Sequence, residues 1–129
     1  MSEIIEKVKS AIKSMEKEHG NLLICALFLR ADVLEKWDIV LAAPWLNPKE
    51  MRSYEILSSS LQNFLTQSEL VQFSRIVILE QDDPTVSFLL NLEIVKNGGY
   101  KELSVDALSE KFRFTIKKAY LLRSQKSEK

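Results

Sequence analysis

Two apolar runs separated by a short polar segment constrain the fold of this chain more than any other feature. Residues 22–29, LLICALFL, are eight consecutive apolar residues, and residues 39–43, IVLAA, are apolar again up to Pro44. Short apolar runs bounded by polar turns are typical of strands, and a run without polar alternation is typical of a strand covered on both faces. The pattern therefore predicts a β-hairpin whose first strand is fully buried.

Helical periodicity predicts one helix on each side of this hairpin. The first helix has Ser2 as a possible cap and Gly20 as its end, and the second begins at Asn47-Pro48-Lys49-Glu50, with Asn47 as N-cap and Pro48 in the first turn. The apolar stripe of the first helix consists of Ile4, Ile5, Val8, Ile12 and Met15. That of the second consists of Tyr54, Leu57, Leu61, Phe64 and Leu65.

The second half of the chain mixes strand and helix signals. Thr66-Gln67-Ser68-Glu69 has the spacing of a capping box and predicts a short helix, and the β-branched segment 75–80, RIVILE, predicts a strand. Residues 84–97 favour a helix, with Val86, Leu89, Leu90 and Ile94 inward, although alternating apolar residues leave a strand as the alternative. The alternation in residues 112–116, FRFTI, favours a final strand over a helix.

These elements predict the fold class and the extent of the domain. We expect an α+β fold with a small mixed sheet built on the N-terminal hairpin and flanked by helices, in the order αββα(α)βαβ. Residues 1–123 are predicted to form this single domain, and residues 124–129 a flexible basic tail. A length of 129 residues with 46% hydrophobic content is enough for one core of ordinary size.

Cysteine content and hydropathy indicate in which cellular compartment the protein is expected. The single cysteine, Cys25, lies inside an apolar run, so an internal disulfide is impossible and a buried core thiol is expected. Residues 1–10 lack the apolar core of a signal peptide, and the run at 22–29 is far shorter than the roughly 20 residues that span a bilayer. We therefore expect a cytoplasmic protein that does not contact membranes.

The charges are balanced overall but unevenly distributed. Residues 20–110 hold seven basic and thirteen acidic residues, a net charge of −6, whereas residues 111–129 hold seven basic and one acidic, a net charge of +6. This distribution fits a solubilising basic end on an acidic body. The alternative is a basic strip that binds nucleic acid or the acidic face of a partner. Such a strip would consist of Lys111, Arg113, Lys117, Lys118 and Arg123.

Most catalytic signatures are absent from the sequence. One His and one Cys exclude a Cys/His zinc site, and neither a dinucleotide-binding nor a P-loop glycine motif occurs. His19 lies in the last turn of the first helix, where the helix dipole favours it without any catalytic role. Ser58, Ser59 and Ser60 lie within the second helix and have no base spaced to activate them. No cofactor is predicted.

One acidic group could hold a divalent cation. Glu80, Asp82 and Asp83 follow the RIVILE strand, and carboxylates at the carboxyl end of a strand often face a crevice where Mg²⁺ or Mn²⁺ binds. Asp38 could join them if strand pairing brought it near. The alternative is that Asp82 and Asp83, which directly precede Pro84, cap the next helix.

The hairpin turn is a second candidate site. Arg30, Trp37, Asp38 and Trp45 combine residue types that are enriched at binding hot spots. The alternative interpretation is structural: the two Trp side chains cover the ends of the core, and Arg30 pairs locally with Asp32 or Asp38.

Three functions follow from these observations. The leading hypothesis is a non-enzymatic interaction or regulatory module that forms a homodimer or binds a protein partner, with Trp37, Trp45 and the final strand, FRFTIKKAYLL, as interface. The second is a metal-dependent phosphodiesterase or nuclease that uses the four carboxylates. The third is a nucleic-acid-binding protein that uses the basic end, and the acidic body disfavours it.

Overall fold

Five helices and five strands make up the structure, a computed structural model that describes residues 2–31, 36–92, 94–95, 99–112 and 115–125. In chain order the elements are α1 Ser2–His19, β1 Ile24–Arg30, β2 Trp37–Ala42, α2 Met51–Phe64, α3 Gln67–Leu70, β3 Phe73–Ile78, α4 Pro84–Leu92, β4 Lys101–Glu102, α5 Val105–Phe112 and β5 Ile116–Ser124.

The strands form one mixed sheet in the order β3-β2-β1-β5-β4. The predicted hairpin is confirmed, since β1 pairs antiparallel with β2 and Leu27 lies opposite Ile39. Strands β2 and β3 are parallel, and α2 and α3 form the crossover that a parallel pair requires. The α+β class, with the hairpin strands and β3 in one sheet, is therefore as predicted.

Each face of the sheet carries its own apolar layer, which explains the uninterrupted run in β1. Leu27 packs with α1 and α2 on one face, and Phe28 packs with α4 and α5 on the other. Both side chains are fully buried, because β1 lies in the middle of the sheet with a helical layer on each side. No described helix combines the length and the apolar character that crossing a bilayer requires.

The first helix follows its predicted pattern. Its apolar stripe is buried from Ile4 to Met15, and Gly20 follows its last turn. Gly20 has a φ of +114° and donates its backbone N–H to the Glu16 carbonyl at 3.0 Å. Only glycine adopts this conformation without strain, so Gly20 ends α1 as its position in the sequence predicts.

The second helix begins later than predicted. It starts at Met51 with Glu50 at the N-cap, and Glu50 makes no side-chain capping bond. Asn47 instead closes the preceding turn, because its Oδ1 accepts the Lys49 backbone N–H at 2.9 Å and its amide donates to Glu50 Oε1 at 3.0 Å. The prediction of Asn47 as helix cap was wrong, since Asn side chains stabilise tight turns as well as helix starts.

The capping box before α3 is confirmed. Thr66 Oγ1 accepts the Glu69 backbone N–H at 3.2 Å, and Glu69 Oε1 accepts the Thr66 N–H at 2.8 Å. Lys7 of α1 also donates to Glu69 at 2.9 Å. The hydrogen bond from the Thr66 backbone, followed by that from Lys7, holds the pKa of Glu69 below its ordinary value.

Residues 84–92 form a helix, the favoured of the two predictions, with Val86 and Leu89 buried. The helix is shorter than predicted. Ile94 was expected to point inward, but it lies beyond α4 and half of it is exposed, because Val95 instead bridges to Ser124 at the sheet edge. The helix end was predicted at Asn97-Gly98-Gly99, of which Asn97 and Gly98 lie outside the described residues.

The C-terminal quarter differs most from the sequence prediction. Neither α5 nor β4 was predicted, and Phe112, the expected start of the last strand, instead ends α5 and meets Phe28 edge to face at 5.1 Å. Strand β5 begins at Ile116 and includes Ser124, which was assigned to the tail. Gln125 donates its backbone N–H to the Leu23 carbonyl at 2.9 Å, and residues 126–129 lie outside the described residues.

Candidate interaction surface

The predicted binding residues Arg30 and Asp38 form a charged cluster with Arg75, in which Asp38 is buried and Arg75 is half exposed. Asp38 is 1% exposed, and its Oδ2 accepts a hydrogen bond from Arg75 Nε at 3.0 Å, with Arg30 Nη1 at 3.6 Å. The other carboxylate oxygen, Oδ1, is buried without a hydrogen bond from any described residue. One residue from each of β1, β2 and β3 meets here, so the cluster ties the start of the edge strand β3 to the hairpin.

The two Trp side chains lie apart from each other. Trp37 is buried and stacks on Tyr120, with ring centroids 5.7 Å apart. Trp45 stacks on His19 at 4.9 Å and donates its indole N–H to the Gly20 carbonyl at 2.9 Å. Arg30 lies beside Asp38, one of the two partners that the structural interpretation gave it, and the other, Asp32, lies outside the described residues.

The acidic residues after β3 line a crevice at the carboxyl ends of β2 and β3. It has a volume of about 520 Å³ and is lined in part by Asn47, Glu80 and Asp82. Asp83 Oδ1 accepts the Thr85 backbone N–H at 2.8 Å, which is a capping contact for α4. Within the described part of the chain, no group of three or more His, Cys, Asp or Glu side chains is arranged to hold a metal ion.

Asp38 does not join this acidic group. It pairs with Arg75 at the start of the parallel strands β2 and β3, whereas Glu80 follows their opposite end. Four carboxylates therefore do not converge, and a metal role for Glu80, Asp82 and Asp83 stays a prediction without a ligand geometry in its support.

We expect Mg²⁺ and Mn²⁺ to leave the melting temperature unchanged. A cation bound at 100 times its dissociation constant would stabilise the fold by about 2.7 kcal/mol, which thermal denaturation detects easily. Scans with millimolar metal, with and without Asp83→Asn, test this expectation. A rise in melting temperature that the variant loses would show that the carboxylates do bind metal.

The four residues of the predicted basic strip that the structure describes do not share one surface. Lys111 lies 5.6 Å from the centre of the Phe88 ring, and Lys117 and Lys118 are exposed neighbours on β5 that point to opposite faces of the sheet. Arg123 is buried, and Arg113 lies outside the described residues. Lys111, Lys117, Lys118 and Arg123, the described members of the set, therefore form no continuous strip.

Arg123 belongs to a buried network that the sequence analysis missed. Its Nη2 donates to Glu16 Oε1 at 2.7 Å, and Glu16 Oε2 also accepts the Leu22 backbone N–H at 2.9 Å and the Gln125 side-chain amide at 3.1 Å. The signal in the sequence is one Arg within the apolar segment AYLLRS. Its partner lies 107 residues earlier in the chain, which no local pattern reveals.

Cys25 lies opposite Arg123 on the neighbouring strand and is fully buried. Burial raises the pKa of its thiol to about 12. Because the thiolate is the reactive form, Cys25 is inert near neutral pH, as expected for a core thiol.

Ser59 and Ser60 line a polar cleft of about 310 Å³ between α1 and α2, together with His19 and Arg52. The Ser60 hydroxyl donates to the Ala11 carbonyl at 3.4 Å, so this serine bridges the two helices. This contact agrees with a packing role for the serines rather than a nucleophilic one.

The long free edge of the sheet belongs to β3. This strand lies at one end of the sheet, and its single strand neighbour among the described residues is β2. Leu79 donates its backbone N–H to the Leu41 carbonyl at 2.8 Å, so the backbone groups of Val77 also point toward β2. Those of Ile76 and Ile78 consequently point away from the sheet, toward the open edge.

Apolar side chains border this edge on both faces of the sheet. On the α2 face, Ile76 is half-buried beside a groove of about 490 Å³ between α2, α3 and β3. On the opposite face, Val77 and Leu79 are also half-buried. The groove is lined by Ile39, Tyr54, Ser58, Leu61, Gln62, Leu70, Phe73, Ser74, Arg75 and Ile76.

The function of the chain is inferred from the geometry of this edge. No protein-family model matches the chain, and neither a curated protein nor a solved structure is significantly similar to it.

Proposed function

We propose that this protein is a non-enzymatic interaction module of the cytoplasm that associates with a second copy of itself through the open edge of β3. The observation that carries the proposal is the outward direction of the Ile76 and Ile78 backbone groups on an edge strand with apolar side chains on both faces. The unpaired, buried Cys25 supports a reducing compartment.

Edge strands of proteins that stay monomeric usually carry protection against pairing. Common devices are an edge lysine, a proline, a bulge or a very short strand. The irregularity in the pairing of β3 lies at its start, between the partners of Trp37 and Asp38, and leaves residues 75–79 regular. The one charged side chain in that segment, Arg75, is bonded to Asp38. Residues 76–79, IVIL, contain none of these devices.

The other edge of the sheet offers less pairing surface. Strand β5, which the sequence analysis predicted as an interface, has β1 on one side, and β4 and Val95 pair with its second half on the other. Trp37, the other predicted anchor, is buried. The β3 edge therefore supports association better than the surface inferred from the sequence.

We expect Ile76→Pro to abolish self-association while leaving the monomer folded. Proline removes the N–H of residue 76, which faces the open edge and takes no part in the pairing with β2. Light scattering between about 1 and 100 µM should give twice the mass of 14.9 kDa for the wild type and the monomer mass for the variant. Circular dichroism checks that the variant keeps its fold.

Ile76→Ala is the matched control. It removes the same side chain but keeps the backbone N–H, so we expect it to associate measurably. A wild-type mass of 14.9 kDa at every concentration would refute the proposed function.

A further inference from the structure

The regular part of β3 has a sequence that suits pairing with itself. An interface between two identical chains related by a two-fold axis puts the same surface on both sides, so each residue must tolerate its symmetry-related partner. The three residues centred on Val77 read the same in both directions, because Ile76 precedes it and Ile78 follows it. An antiparallel pair centred on Val77 therefore places apolar residues opposite apolar residues.

The direction of the backbone groups limits the possible registers. In an antiparallel pair, residues whose N–H and C=O point to the partner must lie opposite residues that do the same. In β3 these are Ile76 and Ile78, whereas Val77 points to β2. A two-fold axis perpendicular to the sheet can thus pass through Ile76, Val77 or Ile78, and these three registers can be compared by the pairs they form.

We infer that two copies join their β3 strands antiparallel with the two-fold axis at Val77, so that two five-stranded sheets become one continuous sheet. This inference rests on the proposed function and specifies its geometry. Val77 then lies opposite Val77 of the partner subunit in a non-hydrogen-bonded pair. Ile76 lies opposite Ile78 of the partner subunit, and each of these two symmetric pairs forms two backbone hydrogen bonds.

The flanking positions distinguish this register from the other two. With the axis at Val77, the exposed Ser74 lies opposite Glu80 of the partner subunit, and the exposed Arg75 lies opposite Leu79 of the partner subunit. With the axis at Ile78, Ile76 lies opposite the Glu80 carboxylate. With the axis at Ile76, Ile78 lies opposite Ser74 and Val77 opposite Arg75. The Val77 and Ile78 registers thus each set one charged side chain against an apolar one. The methylene groups of Arg75 can pack on Leu79 of the partner subunit, whereas the shorter Glu80 side chain would bring its carboxylate against Ile76, so the Val77 register has the best set.

The two faces of the joined sheet also stay consistent. Side chains of Ile76 and Ile78 lie on the α2 face, whereas those of Val77 and Leu79 lie on the α4 face. A perpendicular two-fold axis keeps each face on its own side. The partner's β3 strand consequently lies along the open side of the groove beside Ile76. The half-buried side chains of Ile76, Val77 and Leu79 become covered.

Cysteine cross-linking tests the register directly. Directly opposite residues in a non-hydrogen-bonded pair have Cα atoms about 4.5 Å apart, which lies within the range of a disulfide. We expect Val77→Cys to form a covalent dimer under mild oxidation with copper phenanthroline. Adding Ile76→Pro to this variant should prevent the cross-link. The native Cys25 does not interfere, because it is buried and its pKa is raised to about 12.

Leu79→Cys is the matched control, because Leu79 lies on the same face of the sheet as Val77, one residue beyond β3. In the Val77 register its two copies are separated by four residues, roughly 14 Å at about 3.4 Å per residue, so they cannot form a disulfide. We therefore expect Leu79→Cys to remain free under the conditions that cross-link Val77→Cys.

Two results would overturn the inference, and they differ in what they say about the proposed function. If light scattering shows a dimer but the cross-link forms in a mixture of Val77→Cys and Leu79→Cys and not in Val77→Cys alone, the axis lies at Ile78. The register is then wrong while β3-edge association stands. If all variants and the wild type are monomeric at 100 µM, both the register and the proposed function are wrong.

Discussion

Leu27→Asp should abolish folding. Leu27 is fully buried in the middle strand of the sheet, opposite Ile39 on one side and Tyr120 on the other. Removing the leucine side chain alone costs about 2–5 kcal/mol, and burying a carboxylate without a partner adds several kcal/mol more. The sum approaches or exceeds the total stability of about 5–15 kcal/mol of an ordinary domain.

Circular dichroism and the dispersion of amide proton resonances measure this effect. Lys118→Asp is the matched control, because it introduces the same charge on neighbouring strand β5 at an exposed position. We expect this control to change the free energy of unfolding by no more than about 0.5 kcal/mol. A cooperative melting transition near that of the wild type for Leu27→Asp would contradict the assignment of Leu27 to the core.

The elements that the sequence predicted well depend on local patterns. The hairpin follows from two apolar runs and a polar turn, and the end of α1 follows from Gly20, whose φ of +114° suits glycine. The capping box of Thr66 and Glu69 is likewise confirmed, because the two residues that form it lie within four residues of each other in the sequence. In each case the physical cause is contained in a few neighbouring residues, so the tertiary structure does not alter the outcome.

The errors arise where the same local pattern stabilises two structures. Phe112 alternates with Phe114 and Ile116 as in a strand, yet Val105, Leu108 and Phe112 also recur at helical spacing. Packing of this helical stripe against Phe28 decides between the two. Asn47 is a second example, since an Asn side chain before Pro can close a turn or cap a helix.

The candidate interface could not be predicted from the sequence because it depends on strand order. RIVILE was identified as a strand, and β3 spans Phe73 to Ile78. Whether such a strand is central or at the edge follows from the pairing of all five strands, and a β-branched segment is equally suited to both positions. The exposure of the Ile76 and Ile78 backbone groups is therefore a property of the topology.

The buried pair of Glu16 and Arg123 is a further case in which sequence distance hides a contact. Arg123 donates two hydrogen bonds to the Glu16 carboxylate, at 2.7 and 3.2 Å, and its side chain is 7% exposed. The same carboxylate accepts the Leu22 N–H and the Gln125 amide, so one side chain of α1 fixes the entry to β1 and the end of β5.

Glu16→Ala should lower the free energy of unfolding by about 3–5 kcal/mol, because it leaves the Arg123 guanidinium buried without its counter-charge. One nitrogen of that group, Nη1, already lacks a hydrogen bond from the described residues. In a chain of this size we expect the melting temperature to fall by at least about 10 °C. Urea denaturation followed by circular dichroism gives the free energy directly.

Two further variants separate the buried pair from a general effect of removing charge from α1. Glu18→Ala removes a carboxylate two residues later, where the side chain is 70% exposed, and we expect a change within about 0.5 kcal/mol. Replacing both Glu16 and Arg123 by Met removes the two charges together. Since no unpaired charge is then buried, this double variant should be more stable than Glu16→Ala. If it is instead less stable, the loss in Glu16→Ala does not come from the unpaired guanidinium.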